Sequence, residues 1–218
     1  MCFSVVCSLS NDIFLHHQDI IRQTFFWQQL QAGLVSTDHL DRKRSLYLTK
    51  RSVDFLTGPG REEVELVELI GANKRTARER FEVYFLVLET LEEKQVHIVR
   101  QVSQKIQQLV RISSAEENSS FHSSWSLILF LRLFQHPNMS MVGWGLQLFL
   151  QTRFSQKTLS DPNLLSFLCN PLLDVLNETK IYSSSSTTQQ AEGETRLQIT
   201  DRNTVSMVRE YRASTTSL

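Results

Sequence analysis

Glycine and proline are scarce in this chain, seven and four among 218 residues, under half of their usual combined share of about 12%. β-Sandwiches, barrels and phosphate-cradling loops need frequent turn residues, so the shortage argues against them and favours long helices with few breaks. Cysteine is sparse too: Cys2, Cys7 and Cys169 supply neither a disulfide framework nor a metal-ligand spacing. That usage fits a reducing compartment, cytoplasmic or nuclear rather than secreted. Met1 to Leu9 is apolar but lacks a positively charged start, and no apolar run reaches the about 20 residues that a membrane span takes. Three glycosylation-type matches, at Asn118, Asn138 and Asn177, therefore read as coincidences of a serine-rich chain. No excess of one charge exists: 23 basic side chains balance 23 acidic ones. A chain basic all over is excluded, while a local basic face is not.

Catalytic signatures are missing as well. The chain has no Gly-x-Gly-x-x-Gly, no phosphate loop, no His-Glu-x-x-His and no Gly-x-Ser-x-Gly. His16, His17, His39, His97, His122 and His136 form no metal-ligand motif, and Glu93 precedes His97 by one turn. That pair reads as a solvent-facing helix contact, so no metal is expected. Glu62, Glu63, Glu65 and Glu68, like Glu89, Glu92 and Glu93, read as solvated helix faces.

What the chain does have is helical periodicity. From residue 11 to about residue 182 it reads as consecutive helices with short polar breaks. A first helix is predicted from Asp12 to Ala32, stopped by Gly33. A second, capped by Thr37-Asp38, ends before Gly58-Pro59-Gly60. Glu62 to Ile70 suggests a short helix. Thr76-Ala77-Arg78-Glu79 fits a capping box opening a helix whose Phe81, Tyr84, Phe85, Leu88 and Leu91 share one face. Val99, Val102, Ile106, Leu109 and Val110 repeat the pattern, and the two helices are expected to form an antiparallel pair. Trp125 to Phe134 is apolar on nearly every side, the mark of a central helix, and Pro137 closes it. Met141 to Phe154 follows, with Gly143 and Gly145 available for close helix approach. Asp161-Pro162 caps a last element, Asn163 to Lys180, which Pro171 should kink or split.

These readings give an all-α fold. Helix pairs of about 40 residues suggest an armadillo- or HEAT-like α-solenoid of antiparallel pairs, with an irregular helical bundle as the alternative. The domain reading is a short apolar start at 1–10 outside the fold, a helical-repeat domain at 11–182 and a disordered Ser/Thr-rich tail at 183–218.

Two basic clusters stand out. On a helical wheel Lys43 and Lys50 share one column and Arg44 and Arg51 the next, with Leu40 and Tyr47 between them. Two cationic columns flanking a tyrosine make a phosphate-binding strip with a ring free to stack on a base. Lys74, Arg75, Arg78 and Arg80 form a second cluster at a helix start, where each cation costs about 0.3 to 1 kcal/mol against the helix dipole. An anionic partner explains that placement better than a bland surface does. Ordinary solvated surface, nucleic-acid contact and another anionic partner all remain open for both clusters.

The segment from Phe81 to His97, the stretch from Trp125 to Leu150 with its Gln135-His136-Pro137-Asn138 turn, and the basic run from Asp41 to Arg51 resemble the large eukaryotic SPOUT-type tRNA ribose methyltransferases, the TAR RNA-binding-protein family. The resemblance implies a piece of the N-terminal helical-repeat region of such an enzyme. That family uses S-adenosylmethionine to methylate a guanosine 2′-hydroxyl in tRNA, in a knotted C-terminal α/β domain. No region here resembles that domain, so no catalytic or cofactor-binding residue carries over and no cofactor is expected in this chain. The chain then reads as a fragment, truncated isoform or incomplete gene model, inactive alone, with tRNA as partner. A protein-interaction scaffold with a protein partner and no RNA role is the alternative.

Overall fold

The computed structural model describes residues 16, 18–58, 74–114 and 121–178, all of them helix, turn or connecting chain without a strand among them. The apolar start at 1–10, the short helix expected at 62–70 and the tail at 183–218 lie outside the described residues.

The first predicted helix is two. Helix α1 (Gln18–Ile21) is separated by Arg22 and an extended Gln23 from α2 (Thr24–Leu34). The break lets Ile21 and Trp27 both turn inward, and the Trp27 indole Nε1–H donates to the Ile21 carbonyl at 2.8 Å. A carbonyl orphaned by the helix end thereby gains a partner that only tertiary burial could supply. Gly33 is not the stop: it is buried inside the last turn of α2, and the helix ends at Val35.

Helix α3 (His39–Thr57) starts where Asp38 accepts the Leu40 N–H at 2.8 Å and ends at Gly58, as the sequence predicts. Its buried face, Ser45, Leu48, Thr49, Ser52, Val53 and Leu56, alternates small polar and branched residues and packs on α2. Helix α4 (Lys74–Thr90) begins before Thr76, so the expected capping box does not form there; the Thr76 hydroxyl is buried without a partner. The apolar face of α4 is as predicted, with Phe81, Tyr84, Phe85, Leu88 and Leu91 all buried.

The next helix divides at Val102 into α5 (Val96–Gln101) and α6 (Ser103–Ser114), keeping Val99, Val102, Ile106, Leu109 and Val110 in the core. Helix α7 (Ser123–Phe134) is central: it packs against α2, α6, α8 (Met139–Gln151) and α10 (Pro162–Phe167). Beyond α9 (Gln156–Leu159), Asp161 caps α10 by accepting the Asn163 N–H at 2.9 Å. Pro171 lies in a π-helical turn, Leu168–Leu172, that leads into α11 (Leu173–Glu178). A widened turn accommodates the missing N–H, so the chain splits where the proline predicts.

The two glycines of α8 differ. A Cβ at Gly145 would stand 2.8 Å from the Leu133 Cβ, whereas one at Gly143 would meet nothing within 4 Å. Only Gly145 therefore sets the α7–α8 approach. Gly145→Ala is expected to destabilise by about 1–3 kcal/mol through overpacking, and Gly143→Ala to stabilise by up to about 1 kcal/mol through helix propensity. Urea midpoints of the two variants should move in opposite directions; movement in the same direction would show that α7 and α8 are not so closely seated.

Candidate nucleic-acid interface

Residues of the first basic strip meet in an open cleft of about 610 Å³ between α3 and α4. Lys43, Tyr47 and Lys50, one helical face of α3, line one wall; Glu89, Glu92 and Glu93 line the other. Tyr47 is 45% exposed and Leu40 50%, so an aromatic ring and an apolar side chain stand at the surface as the wheel predicts. The charges are less free. Lys50 pairs with the Glu89 carboxylate, and its Nζ also lies 5.6 Å from the centre of the Phe85 ring. Arg44 pairs with Asp41 one turn earlier at 3.7 Å. Lys43 and Arg51 are exposed on α3, Lys43 at the cleft and Arg51 outside its lining.

The second cluster does not join the first. Arg78 is exposed and pairs with Glu82 at 3.3 Å, about 16 Å along α4 from Glu89. Lys74 and Arg75 open the same helix, but their side chains lie outside the described ones. Arg80 is half-buried: its Nη1 has no hydrogen-bond partner, and burial lowers its pKa.

The centre of the cleft is a group that helical patterning alone places wrongly on the surface. Glu92 is no solvated carboxylate. Its Oε1 accepts Arg42 Nε–H at 2.7 Å and Arg132 Nη2–H at 2.6 Å, and its Oε2 accepts Arg42 Nη2–H and His39 Nδ1–H, each at 2.7 Å. Burial alone would raise the Glu92 pKa, but the Arg42 hydrogen bonds, the Arg132 charge and the His39 hydrogen bond outweigh it and hold the carboxyl at about 2. Arg132 is the lone charge in the apolar run of α7, and that was the available signal: a charge at a core position must be paired. Its partner Glu92 lies 40 residues away in sequence, and Arg42 lies 50 from Glu92, beyond any local pattern.

Other described histidines are structural or exposed. His136 is buried, and its Nε2–H donates to the Glu93 carbonyl at 3.0 Å. His97, one turn after Glu93, is exposed. Among the described residues no three or more His, Cys, Asp or Glu side chains gather as a metal site, and no helix is long and apolar enough to cross a membrane.

No family model matches the chain, and no solved structure does. The chain is similar to a tRNA methyltransferase. It is 30% identical over 174 residues to the tRNA (guanosine(18)-2'-O)-methyltransferase TARBP1 of Mus musculus. The match takes in 73% of this chain and 11% of the mouse protein, so the chain spans about a tenth of that relative's length. This similarity agrees with the family resemblance carried by Asp41 to Arg51, Phe81 to His97 and Trp125 to Leu150.

Proposed function

We propose that this chain is a tRNA-binding helical-repeat segment of a tRNA ribose 2′-O-methyltransferase, holding RNA while the chemistry belongs to a SPOUT-type domain that nothing in this chain resembles. The observation that carries the reading is the 30% identity over 174 residues to a tRNA methyltransferase. The all-helical fold supports a repeat architecture, since α2, α3, α4, α6, α7 and α8 each pack on helices near them in the chain. Antiparallel pairing of α3 and α4 is supported by ion pairs that run in opposite chain directions, Arg42 with Glu92 and Lys50 with Glu89. On this reading Lys43, Arg44, Lys50 and Arg51, with Tyr47 as a stacking ring, form one phosphate-contact strip, and Lys74, Arg75 and Arg78 form another. S-adenosylmethionine is then a ligand of the larger enzyme and not of this segment.

Filter binding of the purified chain to tRNA tests this. If about four phosphates are neutralised, log K should fall with log salt at a slope of about −3 to −4. Lys43→Glu with Arg51→Glu is expected to weaken binding at least tenfold and to flatten that slope. Absent or salt-independent binding, or binding indifferent to the double substitution, would overturn the reading.

A protein-interaction scaffold is the second reading. It is favoured by Leu159, Leu165 and Leu173, which stand 40%, 52% and 46% exposed along α9 to α11. Recovery of a protein partner after nuclease treatment, lost on Leu165→Asp, would support it.

A further inference from the structure

The charges around Glu92 do not balance. Arg42 is fully engaged: its Nε–H and Nη2–H go to Glu92, and its Nη1–H groups go to the Ser36 and Thr37 carbonyls at 3.0 and 2.9 Å. Arg132 is not. Of the five N–H donors of a guanidinium it uses one among the described residues, on Glu92, although its side chain is only 7% exposed. Both oxygens of Glu92 are already filled by Arg42 and His39 as well as by Arg132. Two guanidiniums therefore share the hydrogen bonds of one carboxylate, Asp38 acts by its charge on Arg42, and Arg132 is left with unused donors where burial makes an incompletely paired charge costly. Burial lowers the pKa of Arg132, Glu92 raises it and the Arg42 charge lowers it again, so Arg132 remains a cation under electrostatic stress.

Arg132 also lines a second cleft, of about 560 Å³, between the start of α3, the turn after α4 and the turn after α7. Lys94, exposed and without an ion pair among the described residues, lines it too. So does His39, whose Nδ1 is held by Glu92 and whose Nε2 has no partner among the described residues. Glu92 is the one carboxylate among the described residues of this lining, and it is saturated. His136 forms part of the wall, its Nε2–H donating to the Glu93 carbonyl while its Nδ1 accepts the Asn138 N–H at 3.0 Å. An oxyanion placed here would meet unused guanidinium donors in a fixed plane and a mobile ammonium, a donor set that suits phosphate.

We propose that this cleft is a phosphate-binding site in which Arg132 supplies the fixed donors and Lys94 the mobile charge. The shared ligand chemistry is a tetrahedral phosphate, either a backbone phosphodiester of an RNA or a free phosphomonoester. The site shares His39, Arg42, Glu92 and Arg132 with the cleft beside the Lys43–Arg51 strip and is told from it by Lys94, which lines this cleft alone.

The test uses the full chain, labelled with nitrogen-15 and titrated with inorganic phosphate against chloride at equal ionic strength. Saturable amide shifts at Lys94, Arg132 and His136 are expected. Lys94→Ala should weaken phosphate binding about tenfold, equivalent to about 1.4 kcal/mol. Arg132→Lys, which keeps the charge on Glu92 and removes the planar fork, should weaken it comparably; if it fails to fold, Lys94→Ala at the surface still decides. Displacement of phosphate by a single-stranded oligouridylate would assign the RNA backbone as source, and phosphate binding without displacement would assign a free phosphomonoester. Absence of saturable shifts, shifts confined to other helices, or wild-type binding by Lys94→Ala would overturn the proposal. Because tRNA retention is read separately through Lys43 and Arg51, failure of one reading leaves the other standing.

Discussion

Trp125→Ala is expected to lower the unfolding free energy by about 3–5 kcal/mol, the range for deleting a large buried aromatic side chain. Trp125 is fully buried at the start of α7, and four aromatic rings from three other parts of the chain meet it. Phe81 and Tyr84 of α4 stand edge-on at 5.1 and 5.6 Å, Trp27 of α2 edge-on at 6.4 Å, and Phe121 lies tilted at 6.4 Å. Such edge-to-face pairs each add about 0.5–1.5 kcal/mol beyond burial, so the lost ring removes directional contacts as well as area. The same residue's carbonyl accepts the Tyr84 hydroxyl at 3.0 Å, and complete burial pushes the Tyr84 pKa well up. Alanine preserves that carbonyl, so the loss should come from cavity and ring contacts alone. Trp125→Phe, which keeps an edge-on ring, should lose less than half as much. Urea unfolding followed by far-ultraviolet circular dichroism measures both, and a loss below about 1 kcal/mol for alanine would mean that the aromatic cluster is not the stability centre.

The position of that cluster was legible in the sequence because it rests on periodicity. Phe81, Tyr84 and Phe85 recur at helical spacing, and Trp125 opens a run too apolar for any place but the middle. Two caps were legible for the same local reason: Asp38 and Asp161 each accept an N–H two residues on, at 2.8 and 2.9 Å. Features that depend on distant groups were not. The break after Ile21, where the Trp27 indole six residues on turns back onto a carbonyl, also falls outside helical periodicity. The Thr76 capping box fails because α4 already begins at Lys74, which its four-residue pattern cannot register. The candidate site shows the same division. The wheel places Lys43, Tyr47 and Lys50 on one face, and they do line one cleft. It cannot show that Glu89 of another helix meets Lys50, or that Glu92 is drawn inward by Arg42 and Arg132. Net charge near zero thus has a structural content: part of the acidic half neutralises part of the basic half inside the fold.

Glu92→Leu is expected to cost about 3–5 kcal/mol, because it removes the carboxylate and leaves Arg42 and Arg132 as uncompensated, poorly hydrated cations. Arg42 and Arg132 have side chains 15% and 7% exposed, so water cannot replace the lost partner. The acid limb of stability carries the same signature in the unmodified protein. The Glu92 carboxyl is held at about 2 against an ordinary 4.5. A carboxyl depressed on folding stabilises above its unfolded pKa, and that contribution is lost as pH falls toward the folded value. It should be fully present above about pH 5 and lost progressively down to about pH 2, on the order of 3 kcal/mol in all. Glu92→Gln isolates the group from the other carboxylates. The difference in unfolding free energy between the unmodified chain and Glu92→Gln should be constant from pH 5 to pH 7 and close as pH falls through about 2, where folded Glu92 itself takes up its proton. A difference that stays constant through the acid range, or grows on acidification, would show that Glu92 does not carry the charge balancing the two guanidiniums. The phosphate proposal gives this curve a second use: a phosphate bound beside Arg132 should make Glu92→Gln less damaging at neutral pH. The added anion would then take over part of the charge that the substitution removes.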